Sequence, residues 1–355
     1  MSDKQLDALI RAYQRARDEL MRSILTPGGG SMKDHTRLIL RRVDRVLAAI
    51  RRDTGRYAAR QIAEVYREAR EEAARCYAGR AIRQSIDHGE AIDLLAVEMQ
   101  TRINQGLVQI GRRVHRYIED DLLRTLGIQA TAEKMAAGTT LARMQRELVR
   151  QIQSEGLLSV QYGTGPRAYR VGVGAYAATV ARSTTREVGN LARINTVREY
   201  GQDLVLLTKH YPTCEICAPL QGRVYSLSGH DDRFPCLYSL PGFSAGYQNI
   251  HPNCRHVVVP TVEGLWKDDE RARYLADGKK PITGDIRPSG ERELYDQQQA
   301  QHRRTRADRC QFERYRAILG GDAPKTFSAF RRIKNADGDR WQNLMRTYRL
   351  QNKNV

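Results

Sequence analysis

The sequence predicts a mainly α-helical protein that contains a smaller α+β module. Through the first third of the chain, apolar residues recur at steps of three and four, which is the period of an amphipathic helix. Two short apolar runs, at 203–208 and 257–260, are bounded by turn residues and therefore predict strands. Between these runs lie most of the cysteines, so the module has a local composition of its own.

At 355 residues the chain is long enough for two or more domains. We divide it into four segments in chain order. Residues 1–135 are predicted to form a helical arm or bundle, and residues 136–263 an α+β domain that contains the Cys/His cluster. Residues 264–290 are rich in glycine, proline and polar residues and are interpreted as a linker, and residues 291–355 as a basic helical tail.

The N-terminal segment carries four apolar stripes with mixed charges on the opposite faces, as expected of helices that pack on each other or on a partner. A break at Pro27-Gly28-Gly29-Gly30 follows the first stripe. Further along, the pattern predicts helices at 141–153 and 175–200, separated by a glycine-spaced turn. The second of these carries several arginines, and we expect its surface to be largely polar. The four stripes occupy residues 6–24, 38–50, 57–69 and 95–122.

The charge is strongly basic, with 59 Lys and Arg against 41 Asp and Glu and a formal net charge of +18. Residues 301–355 hold 14 Lys or Arg and 5 Asp or Glu, so the tail is the predicted DNA-binding arm. The alternative is that arginine-rich helices only solvate themselves. Aromatic residues between the arginines are expected to pack rather than stack on bases. The predicted phosphate-binding residues are Arg303, Arg304, Arg306, Arg309, Arg314, Arg316, Arg331, Arg332 and Lys334.

The Cys/His cluster consists of a C-x2-C pair, Cys214 and Cys217, and an H-x2-C pair, His251 and Cys254. This spacing lets a tight turn present two ligands to one tetrahedral ion, and three cysteines with one histidine form a closed structural zinc set. Cys236 and His256 compete as ligands. Two other interpretations remain open: buried cysteines without a ligand in a reducing compartment, and disulfide or transient redox chemistry.

An enzyme is the main rival interpretation, namely a zinc- or cysteine-dependent hydrolase or nuclease that uses residues 214–256. Such a site needs an open ligand position and a nearby acid or base with a shifted pKa. Asp231 and Asp232 are acids nearby in the sequence, and they follow a glycine in a predicted exposed loop. Cys254 with a neighbouring histidine is the alternative nucleophile pair. We therefore predict a protein without catalytic residues. A host DNA-binding or toxin-delivery protein that borrowed the module is a second rival.

Two motifs, in order along the chain, resemble a known family. They are Gln221-Gly222-Arg223-Val224-Tyr225-Ser226-Leu227-Ser228-Gly229 and Asn253-Cys254-Arg255-His256, preceded by a similar stretch at 176–187. The combination is similar to the phage minor capsid protein 2 family, a relative of the phage Mu F-like head morphogenesis proteins.

This resemblance implies a structural protein of the virion, present in few copies and needed for head assembly or DNA delivery. Its implied partners are the portal protein, which would set the oligomeric state, the capsid and packaged DNA. The implied location is the portal vertex of the capsid, after assembly in the host cytoplasm. No apolar run approaches the roughly 18 residues of a membrane span, so we expect none.

Overall fold

The computed structural model describes residues 10–16, 18–20, 32–118, 159–162, 168–278, 280–282 and 284–353. Helices dominate this part of the chain, and the strands within it form two small antiparallel sheets, so the predicted fold class is confirmed. The predicted helix at 141–153 and the turn after it lie outside the described residues.

Residues 10–16 and 18–20 are helical, and the elements that follow are numbered from there. The longer helices are α1 (Met32–Arg75), α2 (His88–Arg116), α3 (Val173–Glu199), α5 (Asp268–Gly278), α6 (Ser289–Leu319), α7 (Phe327–Ala336) and α8 (Asp339–Lys353), and α4 is the single turn Pro241–Ser244. The strands are β1 (Ser159–Tyr162), β2 (Tyr169–Gly172), β3 (Leu204–Leu207), β4 (Val224–Ser226) and β5 (Val258–Pro260).

Helix α1 joins two of the predicted apolar stripes, 38–50 and 57–69, into one helix of 44 residues. The residues between the stripes are mostly charged and contain no proline, so nothing there stops the helix. Gly55 lies in this stretch, where a Cβ would come within 2.8 Å of the Gln100 side chain on α2. The glycine therefore allows close packing of α1 on α2 and does not end the helix.

Helix α3 differs from the prediction, because it is buried on most sides and not largely polar on its surface. Its buried residues include small apolar ones such as Ala181 and Ala192, and also polar ones such as Glu187 and Asn190. A burial pattern of this kind is hidden in the sequence, since buried polar residues look like surface residues until their partners are known.

A three-stranded antiparallel sheet in the order β4-β3-β5 forms the centre of the α+β module. Leu206 of β3 lies opposite Val224 of β4 and Val259 of β5. The predicted strands therefore occur at β3 and β5, whereas β4 was not predicted. The outer edge of β4 bridges to Cys236, and β5 ends in Pro260. Alternate residues of the sheet join α3 and two of the cysteines in one apolar core of Val205, Leu207, Tyr225, Val258, Ile194, Val197, Cys217 and Cys254.

The segment 264–290, predicted as a linker, contains helix α5. Tyr274 of α5 is buried with Val224 and Phe234. The Arg223 guanidinium donates hydrogen bonds to the carbonyl oxygens of Asp277, Lys280 and Pro281 at 2.9, 2.8 and 3.3 Å. These contacts join residues that are distant in the sequence. The composition of segment 264–290, with its glycines and prolines, therefore did not predict helix α5.

The chain forms two compact units. One comprises Met1–Gln14, Ala48–Val108 and Val173–Tyr295, and the other comprises Arg15–Leu47, Gln109–Gly172 and Asp296–Val355. Both units combine separate stretches of sequence. The contiguous boundaries that we placed at 135, 263 and 290 stay predictions.

A buried polar network, which we call the Glu199 clamp, connects α1, the start of α2 and the end of α3. It consists of Tyr66, Arg70, His88, Asn195 and Glu199. Asn195 donates a hydrogen bond to the Tyr66 hydroxyl, which lies 2.9 Å from His88 Nδ1. His88 Nε2 lies 2.8 Å from a Glu199 carboxylate oxygen, and Arg70 lies 3.3 Å from the same oxygen. The Glu199 side chain is only 6% exposed, so these partners replace the water that would otherwise hydrogen-bond to its carboxylate.

We expect Glu199→Ala to lower the free energy of unfolding by about 2–3 kcal/mol. A broken buried ion pair costs about 3–5 kcal/mol, and this cost is reduced here because the Arg70 side chain is 40% exposed. Urea unfolding followed by Trp266 fluorescence, in a Trp341→Phe background, measures the change. Glu72→Ala is the control, because the Glu72 side chain, paired with Arg193, is 60% exposed and should contribute less than about 1 kcal/mol. Equal effects of the two substitutions would contradict a role for the clamp.

Candidate metal centre and basic surface

The first pair of cysteines lies in a closed loop between β3 and β4. Ala218 N donates to Cys214 O, and Gln221 N donates to Cys217 O, both at 3.0 Å. Gly222 then returns the chain to the sheet, with its N–H 2.7 Å from Leu207 O. Its φ is +73°, and a Cβ there would come within 2.1 Å of the Lys209 side chain. Only glycine fits this turn, which places both cysteines beside the sheet.

The second pair of ligands lies on the segment that leads into β5. Cys254 N donates to His251 O at 3.1 Å, and Asn253 between them has a left-handed φ of 62°. Asn190 of α3 holds this segment near both ends, because it donates to Gln248 O at 2.8 Å and accepts from Val258 N at 3.0 Å. No local pattern in the sequence marks this buried asparagine, because its side chain bridges backbone stretches that are distant in the sequence.

The sulfur and imidazole atoms of the predicted ligands converge. Cys214 Sγ and Cys217 Sγ lie 3.2 and 3.1 Å from His251 Nε2, and Cys217 Sγ lies 3.7 Å from Cys254 Sγ. Around a tetrahedral zinc, S–S edges are about 3.8 Å and S–N edges about 3.5 Å, given bonds of about 2.3 and 2.0 Å. The sulfur pair matches this edge length, and the contacts to His251 are a few tenths of an ångström shorter.

Two groups of possible metal ligands share Cys217. One contains Cys214, Cys217 and His251, and the other contains Cys217, Cys254 and His256. The structure thus brings all four predicted ligands into these groups and adds His256, whose Nδ1 lies 3.5 Å from Cys254 Sγ. Cys236, the other competing ligand, belongs to neither group. Among the described residues, no further cluster of this kind occurs.

Both histidines are oriented by a second polar contact. His251 Nδ1 lies 2.9 Å from the Pro252 carbonyl oxygen, and His256 Nε2 lies 3.0 Å from Gln221 Oε1. An N–H directed to an oxygen leaves the other ring nitrogen free to face the sulfurs, which is how ligating histidines are usually held. The Gln221 contact was not foreseen, although this residue belongs to the motif that carries the family resemblance.

Hydrogen bonds within the cluster also shift its protonation. The contact with Cys217, followed by that with His251, lowers the pKa of Cys214 to about 3. Contacts with Cys217 and then His256 lower the pKa of Cys254 to about 4. The pKa of Cys217 is raised by its sulfur neighbours and by burial, and the contact with Cys214 raises that of His251 to about 9. The cluster therefore combines two thiolates, Cys214 and Cys254, with two groups that keep their protons, Cys217 and His251. A metal ion bound to the cluster would displace these protons.

The acids considered for the enzyme interpretation are engaged elsewhere or exposed. Asp231 accepts hydrogen bonds from the Arg233 guanidinium at 2.8 and 2.9 Å, and this contact lowers the pKa of Asp231. Asp232 is exposed. Cys254, the candidate nucleophile, is only 6% exposed and belongs to the apolar core. These residues do not form the open site with a poised base that hydrolysis requires.

The tail forms helices α6, α7 and α8 around a compact aromatic core. Phe312, Tyr315, Phe330 and Trp341 are buried there. The rings of Tyr315 and Tyr348 stack at a centroid distance of 4.1 Å. As expected from the sequence, these aromatic side chains pack against each other and are not presented to bases.

The predicted phosphate-binding residues fall into two groups. Arg331 and Lys334 are half-buried and pair with Asp308, at 3.4 and 2.6 Å. Lys334 also donates to Gln311 at 2.7 Å. Most of the charge of these two residues is therefore compensated within the tail. The exposed residues are Arg303, Arg304, Arg306, Arg309, Arg314, Arg316 and Arg332.

Comparison with known proteins gives a family and one partial relative. The family model for phage minor capsid protein 2 matches residues 39–348. The chain is 32% identical over 95 residues to a protein named "Structural protein" from Lactococcus phage LL-H. This match covers 25% of each chain, so only a quarter of the relative's length is represented here. No solved structure matches significantly. Within the described residues, no helix is both long and apolar enough to cross a bilayer.

Proposed function

Since this chain belongs to the phage minor capsid protein 2 family, we propose that it is a minor head protein that associates with the portal vertex and contacts packaged DNA. The observation that carries the proposal is the family match over residues 39–348, which covers most of both compact units. The protein would act in head morphogenesis as a structural component of the virion, without catalysis, after assembly in the host cytoplasm.

An exposed apolar strip on α2 supports association with another protein. Leu94 and Val97 are exposed at 63% and 61% and lie one turn apart on the helix. Large apolar side chains that neighbour each other on a surface commonly mark a protein contact. The portal is the partner that the family suggests.

The exposed arginines of the tail support contact with DNA. Arg303, Arg306 and Arg314 share one side of α6, because steps of three and eleven residues return to the same helix face. Their side chains are exposed, and no hydrogen bond or ion pair engages them within the described residues. An arginine fork binds phosphate oxygens in pairs, and each neutralised phosphate releases counterions.

We also propose that the Cys/His cluster binds one structural zinc ion through Cys214, Cys217, His251 and Cys254. Two groups of soft sulfur and imidazole ligands that share Cys217 support this assignment. When bound, the ion would add cross-links between the loop after β3 and the segment before β5. His256, oriented by Gln221, would support Cys254 from outside the ligand set.

Quantitative mass spectrometry of DNase-treated, gradient-purified particles tests the structural role. We expect this protein at a fixed ratio to the portal protein and far below the major capsid protein. Cross-linking of intact particles should connect it to the portal, and Leu94→Asp with Val97→Asp should remove those cross-links while α2 stays folded. Absence from purified particles would overturn the proposed role.

The zinc content of the purified protein, measured by elemental mass spectrometry, tests the metal site. We expect about one zinc per chain, as one four-ligand site requires. Cys217→Ala should abolish it, because both ligand groups share this residue. Cys76→Ala is the control, because Cys76 is exposed and lies outside both groups. The His251→Ala variant should lose more zinc than the His256→Ala variant. If the His256→Ala variant loses more zinc, the fourth ligand is His256 and not His251.

Neutralising the exposed face of the tail tests DNA contact. For Arg303→Gln, Arg306→Gln and Arg314→Gln combined, we expect weaker binding to duplex DNA. The slope of log affinity against log salt should become shallower by about 0.9 for each phosphate that the tail no longer neutralises. Arg331→Gln with Lys334→Gln is the control, since both residues pair with Asp308, and should leave the slope unchanged. If the affinity of the tail variant for DNA has the same salt slope as that of the wild type, this face of α6 does not contact DNA.

A further inference from the structure

Arginines with few internal partners gather beside the Cys/His cluster, apart in sequence from the tail. Arg182 and Arg186 lie one turn apart on α3, and Arg255 lies between Cys254 and His256. All three residues belong to the same compact unit.

Hydrogen bonds connect α3 to the backbone on both sides of Arg255. Ser183 Oγ accepts from Asn253 N at 3.4 Å, and Arg182 Nε lies 3.5 Å from Asn253 Oδ1. One turn beyond Arg186, Asn190 holds the backbone of Val258. The turn of α3 that carries Arg182 and Arg186 therefore runs alongside the segment that carries Arg255.

The charges of this cluster lack carboxylate partners within the described residues. Arg186 is half-buried and makes no hydrogen bond or ion pair there, and Arg255 is exposed and makes none. Arg182 has only the long contact with the Asn253 amide. On the same helix, by contrast, Arg193 pairs with Glu72, and Arg198 donates to the Tyr238 hydroxyl.

Arg186 is also shielded from water. Its burial lowers the pKa of the guanidinium, and the charge of Cys254 opposes this shift. Cys254 is the nearby group of opposite charge, and its sulfur is already engaged by Cys217 and His256. A half-buried cation without a carboxylate is costly unless an external anion binds it.

We propose that Arg182, Arg186 and Arg255 form a second binding site for the phosphate backbone of DNA. The site lies on the Cys/His module and is separate in sequence from the tail, and it rests on the proposed contact with packaged DNA. Residues four apart on a helix place their side chains about 5–6 Å apart, so two arginine forks of α3 would reach neighbouring phosphates.

The test compares two full-length variants that each remove three positive charges. The site variant is Arg182→Gln, Arg186→Gln and Arg255→Gln, and the control is Arg51→Gln, Arg52→Gln and Arg60→Gln, which are exposed on α1 in the same unit. Fluorescence anisotropy of a labelled duplex is measured over a salt series. The site variant should flatten the salt slope by up to about 2.7, or about 0.9 per arginine, and the control should change it by less than one such step.

Equal slopes for the site variant and the wild type, or equal changes in both variants, would overturn the second site. If the site variant loses zinc or unfolds, Arg255→Gln alone decides, because Arg255 is exposed and makes no hydrogen bond within the described chain. Its slope must still fall by about 0.9. If the site variant keeps its DNA affinity but no longer cross-links to the portal, the arginines bind an acidic protein surface, and the DNA assignment is wrong.

The same salt series separates the second site from the proposed function on which it rests. If the wild-type chain does not bind DNA, both proposed DNA sites are wrong. If the tail variant changes the salt slope and the site variant does not, only the second site is wrong.

Discussion

The burial of polar side chains along α3 is the constraint on which much of the first unit depends. A buried polar group must find a partner, and several of those on this helix find it on another element. Glu187 pairs with Arg102 of α2, Asn190 holds the segment before β5, and Asn195 and Glu199 belong to the clamp that includes α1. The helix thereby fixes direction and register among elements that apolar packing alone would allow to slide. The candidate ligands His251 and Cys254 lie on one of the segments that it holds.

The sequence predicted those helices and strands whose apolar residues follow a regular pattern along the chain. The apolar period of α1 and α2 and the short apolar runs of β3 and β5 are readable because each element buries one side or a continuous stretch. Helix α5 and strand β4 were missed, because each is stabilised by residues that are distant in the sequence: Arg223 and Phe234 contact α5, and Tyr274 of α5 packs on β4. The surface of α3 was predicted wrongly for the same reason, since its buried glutamate and asparagines resemble solvent-facing residues until Arg102 and the segment before β5 are in place.

The candidate sites show the same division. The spacing of Cys214, Cys217, His251 and Cys254 predicted one set of four ligands, which stays a prediction. In the structure these residues fall into two overlapping groups of three that share Cys217. The spacing did not rank His251 against His256, because the Gln221 side chain that orients His256 comes from another loop. In the tail, net charge predicted a basic phosphate-binding arm, and the fold divides its predicted residues into two groups. Asp308 engages Arg331 and Lys334, and the remaining arginines stay exposed.

The edges of the central sheet have a consequence for assembly at high local concentration. An open strand edge is a template on which another copy of the same chain adds a strand. Here β4 is covered on its outer side by the bridge to Cys236, and β5 has only three residues and ends in Pro260, which lacks an N–H to donate. Copies of the chain at high local concentration would therefore meet through helices and charged side chains, and the module offers little surface on which cross-β aggregation could begin.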